Sequence, residues 1–189
     1  MTFKQFFPIS VGIAVLAFFL VVFAWGSSKC PSIKEYVIVW VAFQTWAMYF
    51  MAGCTIQGGV KVLLGYTGGI TASIGVMKLA SLLTFCGELN FAVAVLIVVV
   101  PIICFERVPW FDFIPAWFVG SGAFFALSEI RGFGALPVGT AHFQAMGAEL
   151  VSCFIGMCFG VATVVLRGKY EASLKLGSEA PAEAPADGE

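Results

Sequence analysis

Charge is what this chain lacks most. Only 11% of its 189 residues are Asp, Glu, Lys or Arg, against about 25% in a soluble domain. A folded surface that poor in charge is not one that water wets. Ten basic and eleven acidic residues leave a net charge of −1, so there is no basic footprint and nucleic acid is excluded as a partner. Histidine occurs once, as His142. The six cysteines, Cys30, Cys54, Cys86, Cys104, Cys153 and Cys158, form no Cys-x-x-Cys pair. Unpaired buried thiols are therefore expected, with no metal and no other cofactor. No Gly-x-x-x-x-Gly-Lys-Ser/Thr loop is present, so ATP is not used directly.

What the chain has instead is apolar surface. Hydrophobic residues make up 60% of it and Phe occurs twenty times. Apolar runs stand at about 8–25, 36–53, 60–84, 89–105, 111–128 and 143–166. A bilayer core about 30 Å thick takes roughly 20 residues of helix to cross. Inside lipid only a helix satisfies its own backbone groups, so these runs predict helices and not strands. The expected fold is all-α, a polytopic membrane protein of about six transmembrane helices within residues 1–170. The tail, 171–189, is rich in Ala, Pro and acid; it has little to bury and is expected to be disordered and cytoplasmic. The first run, Pro8 to Trp25, is long for a signal peptide and lacks an Ala-x-Ala end, so it is read as a retained helix. An even number of spans puts both termini on one side. Lys4, Lys61, Arg107, Arg167, Lys169 and Lys175 fall on or near that side and Lys29, Lys34, Arg131 and Lys78 toward the other, which predicts cytoplasmic termini.

The third run is dense in glycine. Gln57-Gly58-Gly59 leads into it, and Gly65, Gly68, Gly69 and Gly75 follow. Gly65-x-x-x-Gly69, like Gly156-x-x-x-Gly160 in the last run, fits the small-x-x-x-small pattern of close helix packing. Two readings stand for the region 54–69: tight packing, or a broken or re-entrant helix at Gly68-Gly69 whose freed backbone lines a pore. Pro115 suits the first turn of the fifth helix, and Trp117 and Phe118 beside it are candidates to narrow a passage.

Ionisable groups in lipid need a partner, water or a place near a helix end, because each costs roughly 2.5–3.5 kcal/mol at a span's centre. Glu149 lies inside the last run, with His142 seven residues earlier on the same face. A proton-responsive His142/Glu149 pair and a structural Lys61–Glu149 ion pair are both open. Gly120-Ser121-Gly122 followed by His142 has a superficial likeness to rhomboid proteases, but Val119 breaks their Gly-x-Ser-Gly pattern and the histidine lies too near in the chain. No enzymatic activity is expected.

The run from Tyr49 to Lys61, with its Cys54 and Gln57-Gly58-Gly59-Val60-Lys61, resembles a segment of YcdZ-like bacterial inner-membrane proteins. Phe113-Ile114-Pro115-Ala116-Trp117-Phe118-Val119-Gly120 and Ile155-Gly156-Met157-Cys158-Phe159-Gly160 are similar to two further segments of that family. The resemblance implies a small multi-pass protein of the bacterial inner membrane and carries no activity with it. The leading functional expectation is a channel or facilitator for a small solute, either a neutral molecule or a monocarboxylate, lined by Gln57, Lys61 and Glu149 and the backbone of the Gly68-Gly69 and Pro115 segments. Its glycine faces would permit a homo-oligomer. The alternatives are a non-transporting membrane subunit that packs through the same faces, and a proton-coupled small carrier.

Overall fold

The computed structural model describes residues 3–179, and all regular structure among them is helical. The helices are α1 (Phe3–Ser28), α2 (Val39–Met51), α3 (Ile56–Leu82), α4 (Asn90–Cys104), α5 (Ile114–Ile130) and α6 (Thr140–Glu179). Short 3₁₀ turns at Thr84–Leu89 and Phe105–Arg107 flank α4. Helix α6 continues through 171–179, the first part of the expected disordered tail. The remainder, 180–189, lies outside the described residues.

Each run became a helix, but the helices are unequal. Four segments are long and apolar enough to cross a membrane: α1, α3, α4 with its flanking turns, and α6. The 13 residues of α2 and 17 of α5 fall short of that length. At ~1.5 Å per residue α2 is about 20 Å long, which leaves part of a ~30 Å core uncovered.

Helix α3 runs unbroken through Gly68 and Gly69, which corrects the broken-helix reading. The chain bends earlier, at Gly53 (φ 89°) and Cys54 (φ 58°). Thr55 then caps the new helix, its hydroxyl accepting from the Gly58 amide at 2.9 Å. The glycines of α3 are seats for a neighbouring helix. A Cβ on Gly65 would sit 2.5 Å from that of Ala116, one on Gly68 would meet the Trp117 ring, and one on Gly69 would overlap the Trp117 carbonyl. On α6 a Cβ at Gly156 would overlap Thr45 and the Ala42 carbonyl, and one at Gly160 would sit 2.7 Å from the Tyr49 ring. Both small-x-x-x-small motifs are thus used inside one chain. They are not free for a ring of copies, as the sequence had suggested.

The pairings have a mirrored order. Helix α5 packs along α3 in the same direction, and α2 packs along α6 in the same direction. Helix α4 flanks α3 while α1 flanks α6 in the opposite direction, with Gly12 against Leu166 and Leu20 in one cluster with Ile155. The first three helices and the last three therefore form two halves of inverted direction, each lending its short middle helix to the other's long third helix. Inverted repeats of this kind are a recurrent architecture of membrane carriers.

Replacing Gly156 by Leu should overpack the α2–α6 contact and cost about 1–3 kcal/mol. Gly75 meets nothing within 4 Å, so Gly75→Leu should be tolerated. Thermal unfolding of the detergent-solubilised protein should show a lowered Tm for the first substitution only.

Candidate functional site

The two short helices begin where a full span would not, and each start is held by a polar side chain from the opposite half. At the start of α2, non-helical residues lead into Ile38. The Ile38 amide donates to the Ser152 hydroxyl at 2.8 Å, and that hydroxyl lies 3.1 Å from the Tyr36 carbonyl and 2.8 Å from the Ala148 carbonyl. Counted from 143, where the apolar run of α6 begins, Ser152 lies roughly 14 Å into a core ~30 Å thick. Irregular backbone at such depth persists only where protein satisfies it, and Ser152 does so for both an amide and a carbonyl.

At the start of α5, Lys61 of α3 meets a side chain and not the backbone. Its ammonium donates to Asp112 Oδ2 at 2.7 Å, just before Ile114 opens the helix. The Trp117 indole completes this start by donating to the Phe111 carbonyl at 3.1 Å. Lys61, Gly65 and Gly69 on α3 thus stand in the same spacing of four as Ser152, Gly156 and Gly160 on α6. A polar anchor followed by two seats recurs on both long helices. Sequence reading saw the glycine pairs and missed the anchor ahead of each; the repeated spacing was the available signal.

Lys61 therefore pairs with Asp112 and not with Glu149, which corrects the proposed ion pair. It lies near the start of α3, where a partner from the α4–α5 connection is in reach, whereas Glu149 sits deeper on α6. The Lys61 ammonium holds the Asp112 carboxyl below its ordinary value of 3.8. Together with Met51, Ala52, Gly53 and Phe113 the pair lines a recess of about 340 Å³. A second recess, of about 880 Å³, lies toward the other end of α3 between Lys78, Asn90, Phe91, Glu129 and Leu136. Lys61 and Lys78 are roughly 25 Å apart along α3 at ~1.5 Å per residue.

Other polar groups on α3 and α6 are buried and line neither recess. Glu149 and Tyr66 are fully buried and His142 is 1% exposed. Neither oxygen of Glu149 has a hydrogen-bond partner, nor does the Tyr66 hydroxyl. Cys153 lies one turn beyond Glu149 on α6, and Tyr66 and Cys153 belong to one buried cluster. His142 Nδ1 accepts from the Gly139 amide at 3.3 Å, which puts the ring proton of the neutral imidazole on Nε2, and Nε2 has no partner either. The ring packs edge-on against Phe133 at 4.9 Å. Nothing in the sequence marked Tyr66, a lone tyrosine among glycines. It is recognisable only once α3 and α6 are laid side by side.

The other expected lining residues are elsewhere. Gln57 is exposed on the first turn of α3, and Phe118 is 49% exposed on the outer face of α5. Pro115 is exposed and Trp117 is buried as the cover of Gly68. No common passage joins them, because Trp117 faces inward from α5 while Phe118, its neighbour in sequence, points to the opposite side. Ser121 lies 2.6 Å from the Ser73 hydroxyl, and His142 is engaged at Gly139, so no Ser/His pair forms.

Ser152→Ala should strand the buried Ile38 amide and cost about 1–3 kcal/mol, read as a lowered Tm in detergent. The Lys61–Asp112 pair gives a pH dependence of known sign. A depressed carboxyl stabilises the fold above its ordinary value near 3.8 and loses that contribution as pH falls through the lowered one. Thermal scans across acid pH should show this loss in wild type and not in Asp112→Asn.

No curated protein and no solved structure matches this chain. A family profile does match, over residues 10–168, and its members are described as proteins of unknown function. That stretch reaches into all six helices, and the chain belongs to this family, DUF1097.

Proposed function

We propose that this protein is a non-enzymatic membrane carrier for a small solute. The observation that carries the reading is the mirrored pairing of two inverted three-helix halves, whose short helices α2 and α5 each start against a polar side chain of the opposite half. Such halves rock against one another about a central site in carriers that alternate their access. Recesses at both ends, with buried polar groups that line neither, fit a closed state of that cycle better than an open pore.

Of the two solute classes expected from sequence, the neutral one is favoured. A monocarboxylate was suggested by intramembrane lysine charge, and Asp112 now neutralises Lys61. The bacterial inner membrane is the proposed location, with both termini cytoplasmic. The packing of Gly12 near Leu166 supports ends on one side, and four helices long and apolar enough to cross a bilayer support a membrane. A homo-oligomer would have to form through faces other than the two glycine motifs. The non-transporting subunit loses its main support for the same reason.

Purified protein in liposomes should speed the equilibration of at least one solute in a panel of small polyols, amides and amino acids. Uptake should saturate with concentration, as for a carrier and unlike a pore. Uptake no faster than in protein-free vesicles across the panel would refute the transport reading.

A further inference from the structure

Glu149 is the one acid of α6 between Thr140 and Leu166, and it is fully buried with two unpartnered oxygens. An ionised carboxylate in such surroundings is strongly unfavourable unless a proton, a cation or water joins it. Its neighbours select among these. Helix α3 presents the Tyr66 hydroxyl, which can donate one hydrogen bond. On α6 itself Cys153 lies one turn onward and His142 two turns back. The segment before α2 contributes Tyr36, whose carbonyl is already beside Ser152. Helix α2 brings no charged residue, and its ionisable Tyr49 packs lower down, against Gly59 and Gly160. Helix α5 has Glu129 alone, exposed near Gly134, and α1 has Lys4 alone, near its far end. The lysines of α3 are at its two ends, Lys61 on Asp112 and Lys78 in the far recess; among the described residues no basic side chain is set against Glu149, and it lines neither recess described above. A bound cation would need further oxygen ligands and room. A proton needs neither.

We infer that Glu149 is an interior proton-binding site, loaded from one side of the membrane and emptied to the other as the two halves exchange access. The inference rests on the carrier reading and names the ion to which solute movement is coupled. The step balances simply: hydronium on one side gives a proton to a carboxylate oxygen, and the resulting acid later gives it to water on the other side. No bond other than O–H is made or broken and no electron is transferred. Tyr66 is buried in the same core, and its hydroxyl likewise has no partner. The inverted halves supply what a fixed buried acid lacks, a means of meeting water on alternate sides.

Infrared difference spectroscopy on the protein in lipid reads the carboxyl group directly, whether or not a solute is known. Wild type should show a protonated-carboxyl band that shifts in deuterium oxide and disappears as pH is raised. Glu149→Gln should lack it, while Asp112→Asn and Glu149→Asp should keep one. With a transported solute and a trapped pH dye, a solute gradient should drive a pH change in wild type. That change should fall at least tenfold in Glu149→Gln, while solute exchange between equal pools persists. A band indifferent to Glu149→Gln, or one that neither exchanges nor titrates, would overturn the proton site. An unchanged pH signal in a Glu149→Gln protein of wild-type Tm would do the same. Where no solute moves in wild type yet the band titrates and depends on Glu149, the carrier reading fails and the proton site stands.

Discussion

A helix leaves amides at its start that need partners, and the design of this protein follows from how the starts of two short helices are held. Ser152 meets the backbone ahead of α2, and Lys61 meets Asp112 ahead of α5. Each anchor belongs to the opposite half. The starts are therefore held across the two halves, which ties α2 to α6 and α5 to α3. The same interlock lets backbone irregularity sit at membrane depth, where a lipid-facing break would be prohibited.

Packing carries the interlock further along each pair. Below Ser152 the bare surfaces of Gly156 and Gly160 admit α2, and beyond Lys61 those of Gly65 and Gly69 admit α5. Close approach of this sort replaces the hydrophobic driving force that lipid removes, since dispersion contacts grow as backbones near one another. On the outer faces, Phe18, Phe19, Leu96 and Val100 are exposed on α1 and α4, two of the segments long and apolar enough to cross a membrane.

The interior polar groups stand apart from this scheme. Ser73 and Ser121 satisfy each other and the helix backbone, and Lys61 is neutralised by Asp112. Glu149 and Tyr66 are left without partners in the same core. Removing either polar group would relieve a desolvation penalty, so holding both is a stability cost. Function is the natural place to look for what offsets it.

Much of this architecture was legible from composition alone. Low charge and long apolar runs dictated helices in lipid, because no other backbone satisfies itself there. The two glycine motifs were visible as close-packing surfaces, and His142 and Glu149 were singled out because ionisable groups are costly in an apolar helix. Sequence could not tell a seat from a break at Gly68-Gly69, because glycine permits both, and only the arrival of Trp117 against that face decided it. Nor could it assign Lys61 to Asp112 over Glu149, since both acids carry the same charge and only depth along the bundle separates them. The interlock of the inverted halves and the burial of both Tyr66 and Glu149 are relations between distant parts of the chain. Local pattern fixes which surface each helix offers; which surface meets it is set by packing, and packing exists only in three dimensions.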